Sequence, residues 1–364
     1  MGIPAKIKTW QMVKPSNPKT GEAGVIEMTE IDLPPLGSGD VLIEIAGCGV
    51  CHTDLGYFYD GVPTVVPAPL TLGHEISGTV VAGDPAWLGK EVIVPAVMPC
   101  NNCEICRSGR GNRCLAQKMP GNSIGIYGGY SSHIVLPAAD LCVIDSRSME
   151  LANYSVIADA VTTPYQAAKR ADLKGGDLVI VTGSAGGVGS NMVQVAKAMG
   201  AKVVIGLDVD QARLERNLNF GADEVVNIKG LDQKAVKDAI KEIAKKRGVP
   251  SNYGWKIFEC SGVKPGQDLA LSLLSFVGKL IVVGFTVATN EYMLSKLMAF
   301  DAEIIGTWGC LPKYYPEVLK LVQEGRIKIE PFIEQRPMST IREVFAEVHD
   351  KKTDRRIILV PDFK

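Results

Sequence analysis

The stretch "VIVTGSAGGVGS", residues 179–190, decides the fold. Four β-branched residues run into a turn carrying Gly183, Gly186, Gly187 and Gly189, and the chain then continues in a helical pattern. Glycines at such a turn let the backbone approach a pyrophosphate, and the helix N-terminus offers unbonded N–H groups and the positive end of its dipole. The spacing, G-x-x-G-G-x-G, is one residue longer than the familiar dinucleotide fingerprint. The next strand, "KVVIGLD", ends on Asp208, about twenty residues on, where an acid binds ribose hydroxyls and repels a 2′-phosphate. The loop therefore reads as a site for NAD in preference to NADP. A bare strand–helix turn is the competing reading, and the surrounding pattern speaks against it.

Working outward, "DLVIVT", "KVVIGLD", "DEVVNI", "WKIFEC", "KLIVVG" and "EIIGTW" are apolar strand candidates, with helical stretches such as Val188 to Met199 and Gln233 to Arg247 between most of them. Strands apolar on both faces, alternating with helices, predict an α/β Rossmann domain with a doubly wound parallel sheet. The first half differs. "DVLIEIAGCGV", "ISGTVVAG" and "KEVIVPAVM" are short strands split by Gly and Pro, with no long helical period, which predicts a β-rich domain. The expected division is residues 1–160, 161–303 and a segment 304–364 that returns to the first domain.

A chain of 364 residues suits two domains. The net charge of −1 gives no electrostatic reason to expect nucleic acid or an anionic membrane surface as partner. No run has the length of a transmembrane helix, and the N-terminus lacks the apolar stretch of a signal peptide. A cytoplasmic protein is expected. Nine cysteines in a reducing compartment point away from disulfides, and six of them precede residue 115.

Cys100, Cys103, Cys106 and Cys114 have the spacing C-x2-C-x2-C-x7-C. Four thiolates close a tetrahedral coordination sphere and leave no open position, so this lobe, about residues 95–116, reads as a structural zinc site. An iron–sulfur cluster is the rival, disfavoured by the seven-residue gap and the missing proline. Elsewhere Cys51 in "CGVCHTD" and His74 in "LGHEISG" form a thiolate–imidazole pair suited to zinc, with Glu75 adjacent as an outer or exchangeable ligand. On spacing alone, a buried cysteine and a hydrogen-bonded histidine explain the pair as well.

"GCGVCHTD", "GHEISG", the four-cysteine lobe, "GSAGGVG" and "GLD" occur in this order along nearly the whole chain. In this the sequence resembles the zinc-dependent medium-chain alcohol dehydrogenases. The resemblance implies a GroES-like catalytic domain, a Rossmann coenzyme domain, one catalytic and one structural zinc per subunit, and NAD. It makes Cys51 and His74 catalytic zinc ligands and puts Asp159, where the family usually has Cys or Glu, at the third position. It makes Thr53 the hydroxyl that relays the substrate proton and turns His52 toward the coenzyme pyrophosphate. Gly56 stands where some members carry a relay histidine. Thr163 matches a position beside the nicotinamide, and Val283 to Phe285 match the strand end that holds its carboxamide. The family also implies a homo-oligomer, dimer or tetramer, joined through the last strand of the coenzyme sheet.

Longer segments, among them "GVCHTDLGYFYDGVPT", "ADAVTTPYQAAKRADL" and "NEYMLSKLMAFDAEIIGTWGC", resemble the branch of that family that oxidises a ring hydroxyl of a cyclohexene carbonyl-CoA thioester. A CoA thioester is therefore the expected substrate, a small alcohol or ketone being the broader expectation. Arg107, Arg110, Arg113, Lys296 and Lys313 are candidates for the CoA phosphates, although each taken singly reads more readily as solvated surface. Tyr57, Phe58 and Tyr59 wall a ring-shaped substrate or pack in the core. The competing functional readings are a generic alcohol or polyol dehydrogenase, a zinc-free reductase of the same fold, and a non-catalytic NAD-binding redox sensor.

Overall fold

A computed structural model describes residues 3–363. The chain forms two compact units. One contains the residues through Thr162 together with Gly309–Gln323 and the chain from Ile329 onward; the other contains Thr163–Trp308 and Glu324–Lys328.

The second unit is built on a six-stranded, fully parallel sheet. Its order is Glu224–Asn227, Val203–Asp208, Leu178–Thr182, Trp255–Glu259, Lys279–Val282, Glu303–Gly306. All six apolar runs of the sequence are in it. The two central strands, Leu178–Thr182 and Trp255–Glu259, are buried along their whole length, which is why they read as continuous apolar runs. The chain starts at the centre, builds one half, then crosses to build the other. The point where the order reverses lies between these two strands, and ligands of such sheets bind outside the carboxyl ends there. Helix Gly187–Ala198 begins one residue before the expected start, and Gln233–Arg247 is as read from the sequence. Asp232 caps the latter through the Ala235 N–H at 2.7 Å, and Gly248 ends it in the left-handed conformation.

The first unit is β-rich. Its larger sheet runs Ile333–Pro337, Arg356–Val360, Asp40–Gly49, Glu75–Gly83, Glu91–Val94, Cys142–Val143, with His133–Pro137 also on Asp40–Gly49. A smaller sheet joins Val25–Asp32, Lys6–Lys14 and Leu70–Thr71. The returning strand Arg356–Val360 pairs antiparallel with Asp40–Gly49, with Ile358 opposite Gly49. Ile43, Ile76, Val94, Tyr130, Phe345 and Leu359 belong to one buried cluster, so the C-terminal segment shares a core with the first hundred residues. Among the described residues no helix is long and apolar enough to cross a membrane.

Candidate active site

Cys51 caps the short helix His52–Phe58, and His74 immediately precedes the strand Glu75–Gly83. Asp159 follows the 3-10 segment Leu151–Ala158. The fold brings these three together. Asp159 Oδ2 lies 3.5 Å from Cys51 Sγ and 3.4 Å from His74 Nε2. Zinc bonds of about 2.0–2.3 Å in a tetrahedral arrangement separate the ligand atoms by about 3.3–3.8 Å, so the spacing fits one ion. Cys51, His74, Glu75 and Asp159 each offer a donor atom, all within 4.8 Å of one another.

The buried carboxylate of Asp54 orients this group. Its Oδ1 lies 3.2 Å from His74 Nδ1 and accepts the Gly73 N–H at 3.1 Å. Its Oδ2 accepts the Tyr130 hydroxyl at 2.8 Å and the Cys51 N–H at 3.3 Å. A carboxylate on Nδ1 fixes the imidazole and leaves Nε2 to face Asp159 and Cys51, the arrangement that metal-binding histidines adopt. Burial alone would depress the basicity of His74. Asp54, together with hydrogen bonds to Asp159 and Cys51, reverses this and raises its pKa well above the ordinary value. The cluster therefore stabilises positive charge at its centre, and a divalent cation answers the same field.

Glu75 is placed differently from the other three. It is fully buried, and both its oxygens engage Arg356 from the returning strand, with Arg356 Nε 2.8 Å from Oε2 and its terminal nitrogen on Oε1. Burial pushes its pKa up to about 7 against the opposing pull of Arg356. Thr53 Oγ1 lies 3.6 Å from Cys51 Sγ. His52 opens the same helix, its pKa lowered by burial and then by Arg356, Lys351 and His349. Asp54, Tyr130 and Arg356 received no role from the sequence. The "CHTD" motif offered a signal only for Asp54, three residues after the candidate ligand.

The four-cysteine lobe forms a second donor group. Sγ separations are 3.4 Å for Cys103–Cys106, 3.8 Å for Cys103–Cys114 and 3.9 Å for Cys100–Cys106. About 3.8 Å is the edge of a tetrahedron with zinc–sulfur bonds of about 2.3 Å. None of the nine cysteines is in a disulfide. Arg107 in this lobe bonds the Asn102 carbonyl, and Lys313 lies 5.1 Å over the Tyr314 ring.

In the second unit Gly183 has φ +70°, and a Cβ there would stand 2.5 Å from Ser261 Cα. A Cβ on Gly189 would lie 2.0 Å from the Gly183 carbonyl oxygen, so the turn admits no side chain at either position. Gly186 is the N-cap of helix Gly187–Ala198 and brings no capping side chain, which leaves the first N–H groups for an anion. Asp208 ends its strand beside this turn: Oδ2 accepts the Ala185 N–H at 2.9 Å and Oδ1 the Val209 N–H at 2.7 Å. A cavity of about 500 Å³ next to it is lined by Val209, Asp210, Gln211, Asn227 and Lys229. Lys296 lines a separate polar cavity with Lys264, Asp268 and Tyr292. Val283 and Gly284 donate their N–H groups to the Glu259 carbonyl, and Phe285 beyond them is largely exposed. Thr182 Oγ1 and Glu259 Oε2, at register-paired ends of the two central strands, are buried without a hydrogen-bond partner. Thr163 lies in the helix Thr162–Arg170.

Residues 37–146 match the alcohol dehydrogenase GroES-like domain and residues 187–324 the zinc-binding dehydrogenase domain. The chain is 30% identical to an alcohol dehydrogenase of Geobacillus stearothermophilus, over 93% of this chain and 96% of that one. It is 29% identical to a sorbitol dehydrogenase of Bombyx mori, over 88% and 91%. The acetophenone reductase of Geotrichum candidum, solved in complex with NAD, superposes with a TM-score of 0.82 at 27% identity, covering 99% of this chain and 98% of that one. A β-rich unit with a buried thiolate–imidazole–carboxylate cluster, a closed four-cysteine lobe and a Rossmann unit thus coincide with full-length sequence likeness, and the chain belongs to the zinc-binding medium-chain alcohol dehydrogenases.

Proposed function

We propose that the protein oxidises a secondary alcohol to a ketone with NAD, and that its substrate is 6-hydroxycyclohex-1-ene-1-carbonyl-CoA. The dehydrogenase part rests on one observation above all: Asp159 Oδ2 lies at tetrahedral separations from both Cys51 Sγ and His74 Nε2, beside the hydroxyl of Thr53. Three protein ligands and one open position are what a catalytic zinc requires. When bound, zinc acts as a Lewis acid that lowers the pKa of an alcohol oxygen. NAD supplies the hydride-accepting chemistry.

The chain's own residues do the rest. Cys51, His74 and Asp159 hold the ion, Asp54 sets the tautomer and tilt of His74, and Tyr130 holds Asp54. Thr53 accepts the proton of the alcohol and passes it on. Gly56 provides no side chain to continue that relay, so the proton leaves to solvent. Arg356 engages both oxygens of Glu75, so Glu75 would stand outside the set of residues that hold the ion. In the second unit, Gly183, Gly186, Gly187 and Gly189 receive the pyrophosphate. Asp208 bonds the adenosine ribose and excludes a 2′-phosphate. Thr163, Val283 and Phe285 bound the nicotinamide. Cys100, Cys103, Cys106 and Cys114 hold a structural zinc.

The CoA substrate rests on the segments around Tyr57, Thr163 and Tyr292 that resemble the dehydrogenase of this thioester. A plain alcohol or polyol is the second reading, favoured by the likeness to sorbitol and alcohol dehydrogenases. The exposed Met293, Leu294, Met298 and Ile304 near the edge strand Glu303–Gly306 support self-association into a dimer or tetramer. The deciding experiment incubates purified protein with NAD and the thioester, beside sorbitol, ethanol and cyclohexanol, and follows NADH. Turnover of the thioester alone supports the proposal; turnover of the others with the thioester inert leaves the dehydrogenase and removes the CoA assignment.

A further inference from the structure

Asp159 is the one candidate ligand that no regular element holds. Cys51 caps a helix and His74 leads into a strand, whereas Asp159 follows the 3-10 segment Leu151–Ala158 with φ −139° and ψ −55°, neither helical nor extended. Yet its Oδ2 meets both Cys51 Sγ and His74 Nε2 at distances that suit one ion.

The peptide that precedes Asp159 is held by two hydroxyls. The Ala158 carbonyl accepts the Tyr315 hydroxyl at 2.5 Å and the Thr162 hydroxyl at 2.9 Å, which fills both lone pairs of that oxygen. The direction of the Tyr315 bond is unambiguous, because a carbonyl can only accept. The Tyr315 oxygen in turn accepts the Ala96 N–H at 3.0 Å, so both roles of the phenol are filled. Ala158, Thr162 and Tyr315 are each 0% exposed, so water does not compete for these bonds. Bonds in such a chain strengthen one another. Ala96 follows the strand Glu91–Val94, so a side chain of the returning segment ties the Ala158 carbonyl to the main sheet. The other end of the 3-10 segment is tied as well. Ser77, on the strand that follows His74, donates to the Leu151 carbonyl at 2.7 Å.

Peptide planarity carries this clamp to the ligand. The carbonyl of Ala158 and the nitrogen and Cα of Asp159 share one rigid plane, so holding the oxygen sets where the aspartate side chain starts. Only two side-chain torsions then separate that Cα from the carboxylate oxygens. We propose that Tyr315 is a positioning residue for the candidate zinc centre: with Thr162, it holds the Ala158–Asp159 peptide so that the short Asp159 side chain reaches the ion. This rests on the reading of Asp159 as a ligand, and the effect of Tyr315 passes through Asp159.

The test measures zinc affinity at the Cys51 site by competition with a chelator. The proteins are the wild type, Tyr315→Phe, Thr162→Val and Asp159→Ala, and Asp159→Ala combined with each of the other two. Thermal unfolding of the zinc-free proteins is followed in parallel. Tyr315→Phe is expected to weaken zinc by about tenfold, the low end of the range for hydrogen bonds behind a metal ligand. Thr162→Val weakens it by a smaller factor and leaves the Ala96–Tyr315 bond intact, so it carries the test if Tyr315→Phe does not fold. Neither substitution weakens zinc further once Asp159→Ala has removed the carboxylate. An equal loss with and without Asp159 overturns the proposal, as does lower zinc-free stability with unchanged affinity, which assigns the hydroxyls to folding alone. Affinity lost in Asp159→Ala but kept in folded Tyr315→Phe and Thr162→Val removes the positioning role and leaves Asp159 as a ligand. Affinity unchanged in Asp159→Ala removes both.

Discussion

The Asp54 carboxylate lies 3.2 Å from Nδ1 of His74, and the two side chains are buried together with the Tyr130 hydroxyl that donates to Asp54. One carboxylate thus sets the direction of the imidazole, and a phenol from a distant part of the chain sets the carboxylate. Loss of such an outer hydrogen bond commonly weakens metal affinity by about 10–100-fold. Asp54→Asn is expected to lower zinc affinity at the Cys51 site within that range, measured by competition with a chelator. Tyr130→Phe acts in the same direction by a smaller factor, because Asp54 keeps the Gly73 and Cys51 N–H groups. Unchanged zinc retention in Asp54→Asn would show that the imidazole is oriented by other means.

The cysteine lobe is expected to be separable from the chemistry. Cys103 Sγ lies near both Cys106 and Cys114, so Cys103→Ser removes a shared corner of the cluster. Zinc measured by atomic absorption should fall from about two ions per chain to about one. The remaining zinc should still resist chelation as in the wild type. Both ions lost at once would mean that the lobe holds the catalytic cluster in shape.

Coenzyme choice should turn on Asp208. Its carboxylate ends the second strand beside the glycine turn, with Lys229 lining the adjacent cavity. Asp208→Ser removes the repulsion of a 2′-phosphate and leaves Lys229 to meet it. The ratio of kcat/KM for NAD over NADP is expected to fall by about tenfold or more. Unaltered selectivity would place the discrimination elsewhere in the cavity.

A pH-dependent contribution to stability is expected at Glu224. Hydrogen bonds from Lys246 and Arg247, at the end of helix Gln233–Arg247, hold its carboxyl below the ordinary range. A carboxylate with a depressed native pKa stabilises above the unfolded pKa and loses this as pH falls through the native one. Glu224→Gln should therefore be less stable by roughly 0.5–1 kcal/mol at neutral pH, given the partial exposure of the pair. Denaturant unfolding should show that difference vanishing below the ordinary carboxylate range; a difference that persists in acid would assign it to packing.

The sequence made the Rossmann unit legible because its strands are buried on both faces and punctuated by helices, so each apolar run from "DLVIVT" to "EIIGTW" marked a strand. Cys51 and His74 were legible through their motifs. Their supports were not. Tyr130 reaches Asp54 across 76 residues, Arg356 reaches Glu75 across 281, and Tyr315 anchors Ala158, next to Asp159, through a 2.5 Å bond to its carbonyl. Nothing local in the chain announces such pairs: the first joins distant parts of the first domain, and the other two are products of the return of the C-terminal segment.

Gly49 gives the sharpest steric test of that return. A Cβ at this position would stand 2.1 Å from Glu75 Oε2, inside the bidentate pair with Arg356. Glu75 is fully buried, so its carboxylate has no solvent to retreat into. Gly49→Ala must displace it from Arg356, and overpacking of this kind costs about 1–3 kcal/mol, with more if the charges part. Gly175 is the control: a Cβ there meets nothing within 4 Å, so Gly175→Ala should change stability by no more than about 0.5 kcal/mol. Both are read by thermal unfolding of the zinc-loaded protein. If Gly49→Ala unfolds with the wild type, the Glu75–Arg356 pair has room to move. Its hold on Glu75 beside the donor cluster is then looser than the structure draws it.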